Sequence, residues 1–252
     1  MKKSTKTIAI ANHKGGVGKT TTAASMGAIL AQKGYKVLLI DLDAQANLTC
    51  SLLKQEVTTS VYNSFVESVK LPIYNIGENL DLVPSSLQLA QADLQLGSAL
   101  ARERLLEDLL LPVMGDYDYI LIDCPPSLSL MTLNAITVSD EVLIPLVAET
   151  LPFKGLTMIT DFVSMVKSKL NPKVKVAGVL ITRYEISNLS KQIENGLRES
   201  LGELVFETKI RKNITVAQAP LEATNIVDYD KKSNGAIDYV AFTDEYLSRK
   251  NS

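Results

Sequence analysis

The chain has 252 residues, of which 46% are hydrophobic, 21% charged and 6% aromatic. That is enough apolar chain to bury a sizeable core without disulfide or metal staples. A net charge of −2, two cysteines (Cys50 and Cys124) and one histidine (His13) exclude a uniformly basic nucleic-acid binder, a disulfide framework and a multi-histidine metal centre.

The first apolar run, Ile8 to Ala11, follows Met-Lys-Lys and is too short for the core of a secretory leader. No apolar run approaches the roughly 18–20 residues that span a bilayer. These features predict a cytoplasmic protein with no membrane partner. Short β-rich runs then alternate with longer helical patterns, the signature of βαβ units. Strands are predicted at Thr7–Ala11, Val37–Asp41, Leu80–Pro84, Tyr119–Asp123, Glu141–Pro145, Val176–Thr182 and Leu204–Thr208. Helices are predicted at Thr20–Gln32, Leu100–Leu110 and Lys154–Lys169. The runs Val37–Ile40 and Tyr119–Ile122 are apolar on both faces, as a doubly covered parallel strand requires. With no internal repeat and no Pro/Gly/Ser linker, the expected fold is one α/β domain over residues 1–252, a mainly parallel twisted sheet with helices on both faces.

The first predicted strand runs into Lys14-Gly15-Gly16-Val17-Gly18-Lys19-Thr20-Thr21 and then a helical run. Glycines there let backbone N–H groups converge on an anion at a helix start. Lys19 can reach the β/γ-phosphates and the Thr20 hydroxyl can ligand Mg²⁺. The usual P-loop spacing places a glycine five residues before Gly18, where this chain has His13, with Lys14 beside it. A second lysine at the loop can stabilise transition-state charge as an arginine finger does, or can be a solvated loop charge.

Carboxylates follow at strand ends, where ligands of open α/β sheets bind. Alternation along the second predicted strand puts Asp41 and Asp43 on one side, where both could approach the metal and the attacking water, or cap the following helix. Asp123 ends an apolar strand before Cys124-Pro125-Pro126, a Walker B arrangement in which the carboxylate holds Mg²⁺ through water. Cys124 reads as a small core residue.

The string Lys14–Thr20, with its second lysine, resembles the deviant Walker A motif of the ParA/MinD group of P-loop ATPases, and most of all the Soj/ParA partition proteins. Asp41–Asn47 is similar to the family's DxDPQGN, with Ala44 and Ala46 in place of the proline and glycine. Gly178–Tyr184, Thr208–Pro220 and Tyr229–Ala236 are similar to further family segments, so the resemblance covers nearly the whole chain; Arg211 and Thr215 depart from it. The resemblance implies ATP and Mg²⁺ as cofactors, with Lys14, Lys19 and Asp43 catalytic and Asp43 orienting the hydrolytic water. It implies metal contacts from Thr20, Asp43 and Asp123, and nucleotide contacts from Lys14 to Thr21. Arg183 and Pro220 would lie on the adenine side. It also implies an ATP-sandwich homodimer in which Lys14 crosses to the partner's nucleotide, non-specific binding of double-stranded DNA, and a ParB-like centromere-binding partner.

Charge distribution bears on the DNA expectation. Between Lys167 and Lys212 there are ten basic and five acidic residues, so the small net charge hides a basic stretch. Such a cluster can hold phosphate backbone without reading bases, or can be a solvated face. Arg198, Lys209, Arg211 and Lys212 are its candidate DNA contacts. No aromatic residues interleave with these charges for single-strand stacking. Other uses of the scaffold fit less well. A MinD-like membrane cycle needs a basic amphipathic tail, whereas Asp244 and Glu245 oppose Arg249 and Lys250. An iron–sulfur reductase needs paired cysteines, and Cys50 and Cys124 stand at the wrong places. An accessory ATPase that positions another assembly without moving DNA is the remaining alternative.

Overall fold

A computed structural model describes residues 5–149 and 152–249. Seven strands form one sheet: β1 (Lys6–Ile10), β2 (Val37–Asp41), β3 (Tyr74–Gly77), β4 (Leu80–Val83), β5 (Tyr119–Asp123), β6 (Glu141–Val147) and β7 (Lys175–Thr182). Their order across the sheet is β3-β4-β2-β5-β1-β6-β7, and every neighbouring pair is parallel except β3 with β4. The α-helices are α1 (Lys19–Gln32), α2 (Asn47–Leu52), α3 (Val61–Glu67), α4 (Ala92–Gln95), α5 (Leu105–Leu110), α6 (Leu130–Val138), α7 (Pro152–Lys169), α8 (Asn188–Leu201), α9 (Ile214–Gln218), α10 (Ile226–Tyr229) and α11 (Asn234–Ser248).

Strand alternation divides the core in two. Ala9, Leu38, Ile40, Ile120 and Ile122 face one layer, built from α3, α5, α6, α7 and α8. Ile8, Ile10, Leu39, Leu121 and Leu180 face the other, built chiefly from α1 and α11. Both faces of the central strands are therefore covered, which is why their sequences are apolar throughout. Helix α1 lies unusually close to the sheet: a Cβ on Gly27 would stand 2.6 Å from Leu39 Cδ2. With the parallel strands aligned, the ends of β1, β2 and β5 lie side by side, Ile10 opposite Asp123 and Asp41 opposite Asp123.

Two expectations are corrected, and one strand has no predicted counterpart. Leu204–Thr208 is not a strand: it makes a single parallel bridge, Val205 to Val179. The Glu245 carboxylate accepts from the amides of Glu207 and Thr208, both at 2.8 Å, and so diverts them from a ladder with β7. Leu100–Leu110 is helical only from Leu105, after a 3₁₀ turn at Arg102–Arg104. Asn134 on α6 sets that start, accepting from the Leu106 amide and donating to the Arg102 carbonyl. The antiparallel edge strand β3 was not anticipated, because its exposed edge position asks for little hydrophobicity.

Candidate functional site

The loop between β1 and α1 carries the left-handed glycines Gly16 (φ 73°) and Gly18 (φ 86°), conformations that L side chains rarely adopt. Asn12 braces its entry, donating to the Pro145 carbonyl at 2.8 Å and accepting from the Lys14 amide at 3.1 Å. His13 packs against α7, where a Cβ on Gly155 would lie 2.6 Å from its Cε1. Val17 is buried beneath the loop, and Pro126 lies across it, 3.9 Å from where a Gly15 Cβ would be. The start of α1 leaves its first N–H groups without intrahelical partners beside these turns and without a side-chain cap, an arrangement that can receive an anion.

Lys19 is only 6% exposed, and its ammonium donates to the Lys14 carbonyl at 3.1 Å. Burial lowers its pKa, opposed by the nearby Asp123 and Asp43 carboxylates. Thr20 Oγ1 donates to Asp123 Oδ2 at 2.7 Å. Asp123 is fully buried, and its other oxygen, Oδ1, has no partner among the described residues. Burial, then the neighbouring Asp41, push its pKa well above the ordinary carboxylate range. An unpartnered buried carboxylate oxygen beside a threonine hydroxyl fits Mg²⁺, which takes few protein ligands and keeps waters and phosphates. Cys124 is buried in the core behind this pair.

Asp41 and Asp43 part company. The strand ends at Asp41, so alternation no longer governs where Asp43 points. Asp41 is buried and turned inward, accepting from the Thr49 amide at 2.9 Å, the Thr49 hydroxyl at 2.7 Å and the Asp43 amide at 3.1 Å. It ties the end of β2 to α2, and burial raises its pKa to about 6. Asp43 stays partly exposed, with Oδ1 accepting from the Gln45 amide at 3.0 Å, and its charge is felt at Lys19 and Asp123. Ala46, in place of the glycine that similar proteins carry, caps α2 at φ 52°. Ala46→Gly is therefore expected to raise stability by about 1 kcal/mol, since alanine is strained in that region and is a poor N-cap. Denaturant midpoints check this; an unchanged or lower midpoint would show that the strain is absent.

The remaining candidates are scattered. Arg183 lies over the phosphate loop, its Nη1 3.4 Å from the Gly16 carbonyl. Pro220 sits exposed in a 3₁₀ turn (Ala219–Glu222) that packs against α2. Thr21 is half-buried on α1. Lys14 pairs with Glu149 at 2.8 Å, both side chains about half exposed at 52% and 51%. The four basic candidates for DNA are all engaged within the chain. Arg198 pairs with Glu194 and Glu207, and Lys209 with Glu194. Arg211 forms a forked pair with Asp238, and Lys212 pairs with Glu185. Their charge is thus locally balanced, by Glu185, Glu194 and Glu207 of the same stretch and by Asp238 on the last helix. Sequence reasoning missed Asn12, Glu149 and Thr182, whose hydroxyl donates to the Val17 carbonyl. The one available signal for Thr182 was its position at the carboxyl end of a strand.

A family model described as an AAA domain matches residues 5–176. The chain is 39% identical to the sporulation initiation inhibitor protein Soj of Bacillus subtilis over 246 residues, covering 95% of this chain and 97% of that one. It is 36% identical over 251 residues to the chromosome partitioning protein ParA of Caulobacter vibrioides, covering 96% and 94%. Among solved structures it is similar to cobyrinic acid a,c-diamide synthase from Mycobacterium smegmatis, determined with an ATP analogue and magnesium, at TM-score 0.86 and 35% identity over 98% of this chain and 96% of that one. Identity of this order over almost the full length makes the chain a member of the ParA/MinD family of P-loop ATPases, working with ATP and Mg²⁺.

Proposed function

We propose that residues 1–252 act as one DNA partition ATPase. ATP closes two copies into a sandwich dimer, the dimer holds double-stranded DNA without reading its sequence, and a ParB-like partner triggers hydrolysis and release. The observation that carries this reading is Lys14. Its half-exposed ammonium stands at the mouth of the loop on a surface pair with Glu149. Such a pair is worth about 1 kcal/mol or less, so Lys14 can exchange it cheaply for a phosphate bound to a second copy.

Bound Mg·ATP supplies the electrophilic phosphoryl group and the cation that neutralises it. Lys19 and the loop amides hold the phosphates, and Thr20 with Asp123 holds the ion. Asp43 aligns water for in-line attack, while Lys14 of the other copy stabilises the charge that develops. Slow turnover suits a switch whose output is the population of a DNA-bound state. The reading implies a nucleoid-associated, cytoplasmic protein. Among the described residues no helix is long and apolar enough to cross a membrane.

Duplex-DNA binding measured with ATP, with ADP and without nucleotide tests the proposal. Binding is expected with ATP alone, falling steeply as salt rises. Of the four basic candidates Lys212 is the most exposed, at 58%, and its partner Glu185 is equally solvated. Lys212→Ala is expected to reduce the salt slope by about one phosphate contact in each subunit. Equal DNA binding in all three states, or none, would transfer the reading to an accessory ATPase.

A further inference from the structure

The trans peptide holds each carbonyl antiparallel to the next residue's N–H. A loop amide therefore points inward at an anion only while the preceding carbonyl points outward. In this loop three carbonyls are captured from outside: that of Lys14 by Lys19 Nζ at 3.1 Å, that of Gly16 by Arg183 Nη1 at 3.4 Å, and that of Val17 by Thr182 Oγ1 at 2.8 Å. The first is made by the lysine that also serves the phosphates, and the second is long and exposed. The third is short and buried, with Thr182 only 2% exposed.

We propose that Thr182 is a positioning residue of the nucleotide site: by holding the Val17 carbonyl outward it keeps the Gly18 N–H aimed at the bound phosphate. Thr182 is the last residue of β7 and is placed by sheet pairing opposite Val147, so its own position does not depend on the loop. Its hydroxyl proton is directed at Val17, with the Leu146 carbonyl as a longer second acceptor at 3.3 Å. Its side chain also lies alongside Gly18, 3.6 Å from where a Cβ there would be. Gly18 has φ 86° and no side chain to restrain it, so its peptide plane depends on outside contacts. The same end of β7 is tied by the Tyr184 amide to the Ile210 carbonyl, and by the Lys212 amide to the Tyr184 carbonyl. The strand end that orients the loop is thus backbone-linked to the segment carrying Lys209, Arg211 and Lys212.

The test needs only nucleotide and the full chain, so it stands apart from the DNA reading. Thr182→Val keeps the shape and removes the donor, whereas Thr182→Ser keeps the donor. Dissociation constants for Mg·ADP and Mg·ATP by titration calorimetry are expected to rise about tenfold in Thr182→Val, as loss of a hydrogen bond to a buried acceptor implies, and to stay within about twofold in Thr182→Ser. Without nucleotide, hydrogen exchange at the Gly18 amide is expected to quicken in the valine variant, with a melting temperature lowered by a few degrees for the unpaired Val17 carbonyl and unchanged in the serine variant. Should the valine variant fail to fold, Thr182→Ala reads the same affinities. Wild-type affinity in the donor-free variant, or equal losses in the serine and donor-free variants, overturns the proposal.

Discussion

Lys19→Ala is expected to lose ATP and ADP binding by at least about 100-fold, the scale of losing a charge-assisted contact to phosphate in a partly desolvated site. The variant should nonetheless fold. Lys19 is 6% exposed, and among the described residues its ammonium donates only to the Lys14 carbonyl. Removing the ammonium leaves the buried Asp123 carboxylate without its neighbouring cation, so the nucleotide-free variant should be less stable than wild type. The distinguishing result is therefore thermal. Wild type should gain melting temperature with Mg·ATP by ligand linkage, while Lys19→Ala should start below the wild-type value and gain nothing. A variant that still binds ATP tightly would sink the assignment of the phosphate loop.

Asp43→Ala should behave in the opposite way. Its carboxylate accepts one local hydrogen bond, from the Gln45 amide, and holds no part of the core, so nucleotide affinity and fold should survive. Hydrolysis should fall by about 10²–10⁴, the usual contribution of a group that positions or deprotonates the attacking water. With hydrolysis blocked, the ATP state should accumulate as a dimer, readable by light scattering with ATP and with ADP. A variant that remains monomeric in ATP would remove Asp43 from the water-positioning role. Asp41→Ala is the contrasting control. Its carboxylate accepts three hydrogen bonds, two of which join β2 to α2 through Thr49, so its loss should lower stability rather than block turnover selectively.

Much of the fold was legible because periodicity reports burial. Val37–Ile40 and Tyr119–Ile122 are apolar at every position, and both are central strands covered on two faces. Where an element is set by a distant partner, periodicity fails. Leu204–Thr208 has the composition of a strand, yet Glu245 on the last helix takes the amides a ladder would need. The helix that starts at Leu105 begins where Asn134, 28 residues after Leu106, accepts from the Leu106 amide.

The site divides along the same line. Local sequence was sufficient for the phosphate loop, because its chemistry resides in consecutive residues: glycines that permit φ 73° and 86°, then Lys19 and Thr20 on the first turn of α1. Spacing also brought out Asp43 and Asp123 as strand-end carboxylates. Tertiary structure alone separated Asp41 from Asp43, turning one inward as a helix cap and leaving the other at the mouth. It also paired Arg198 with Glu207 as well as with Glu194 on its own helix, and Lys209, Arg211 and Lys212 with Glu194, Asp238 and Glu185, so a basic stretch in the chain is not an equally basic surface. Thr182 meets Val17 across 165 residues of sequence. Residue type and spacing declare which groups can do chemistry; which way a carboxylate turns, which charges remain free and what holds a loop rigid depend on contacts that only the folded sheet creates.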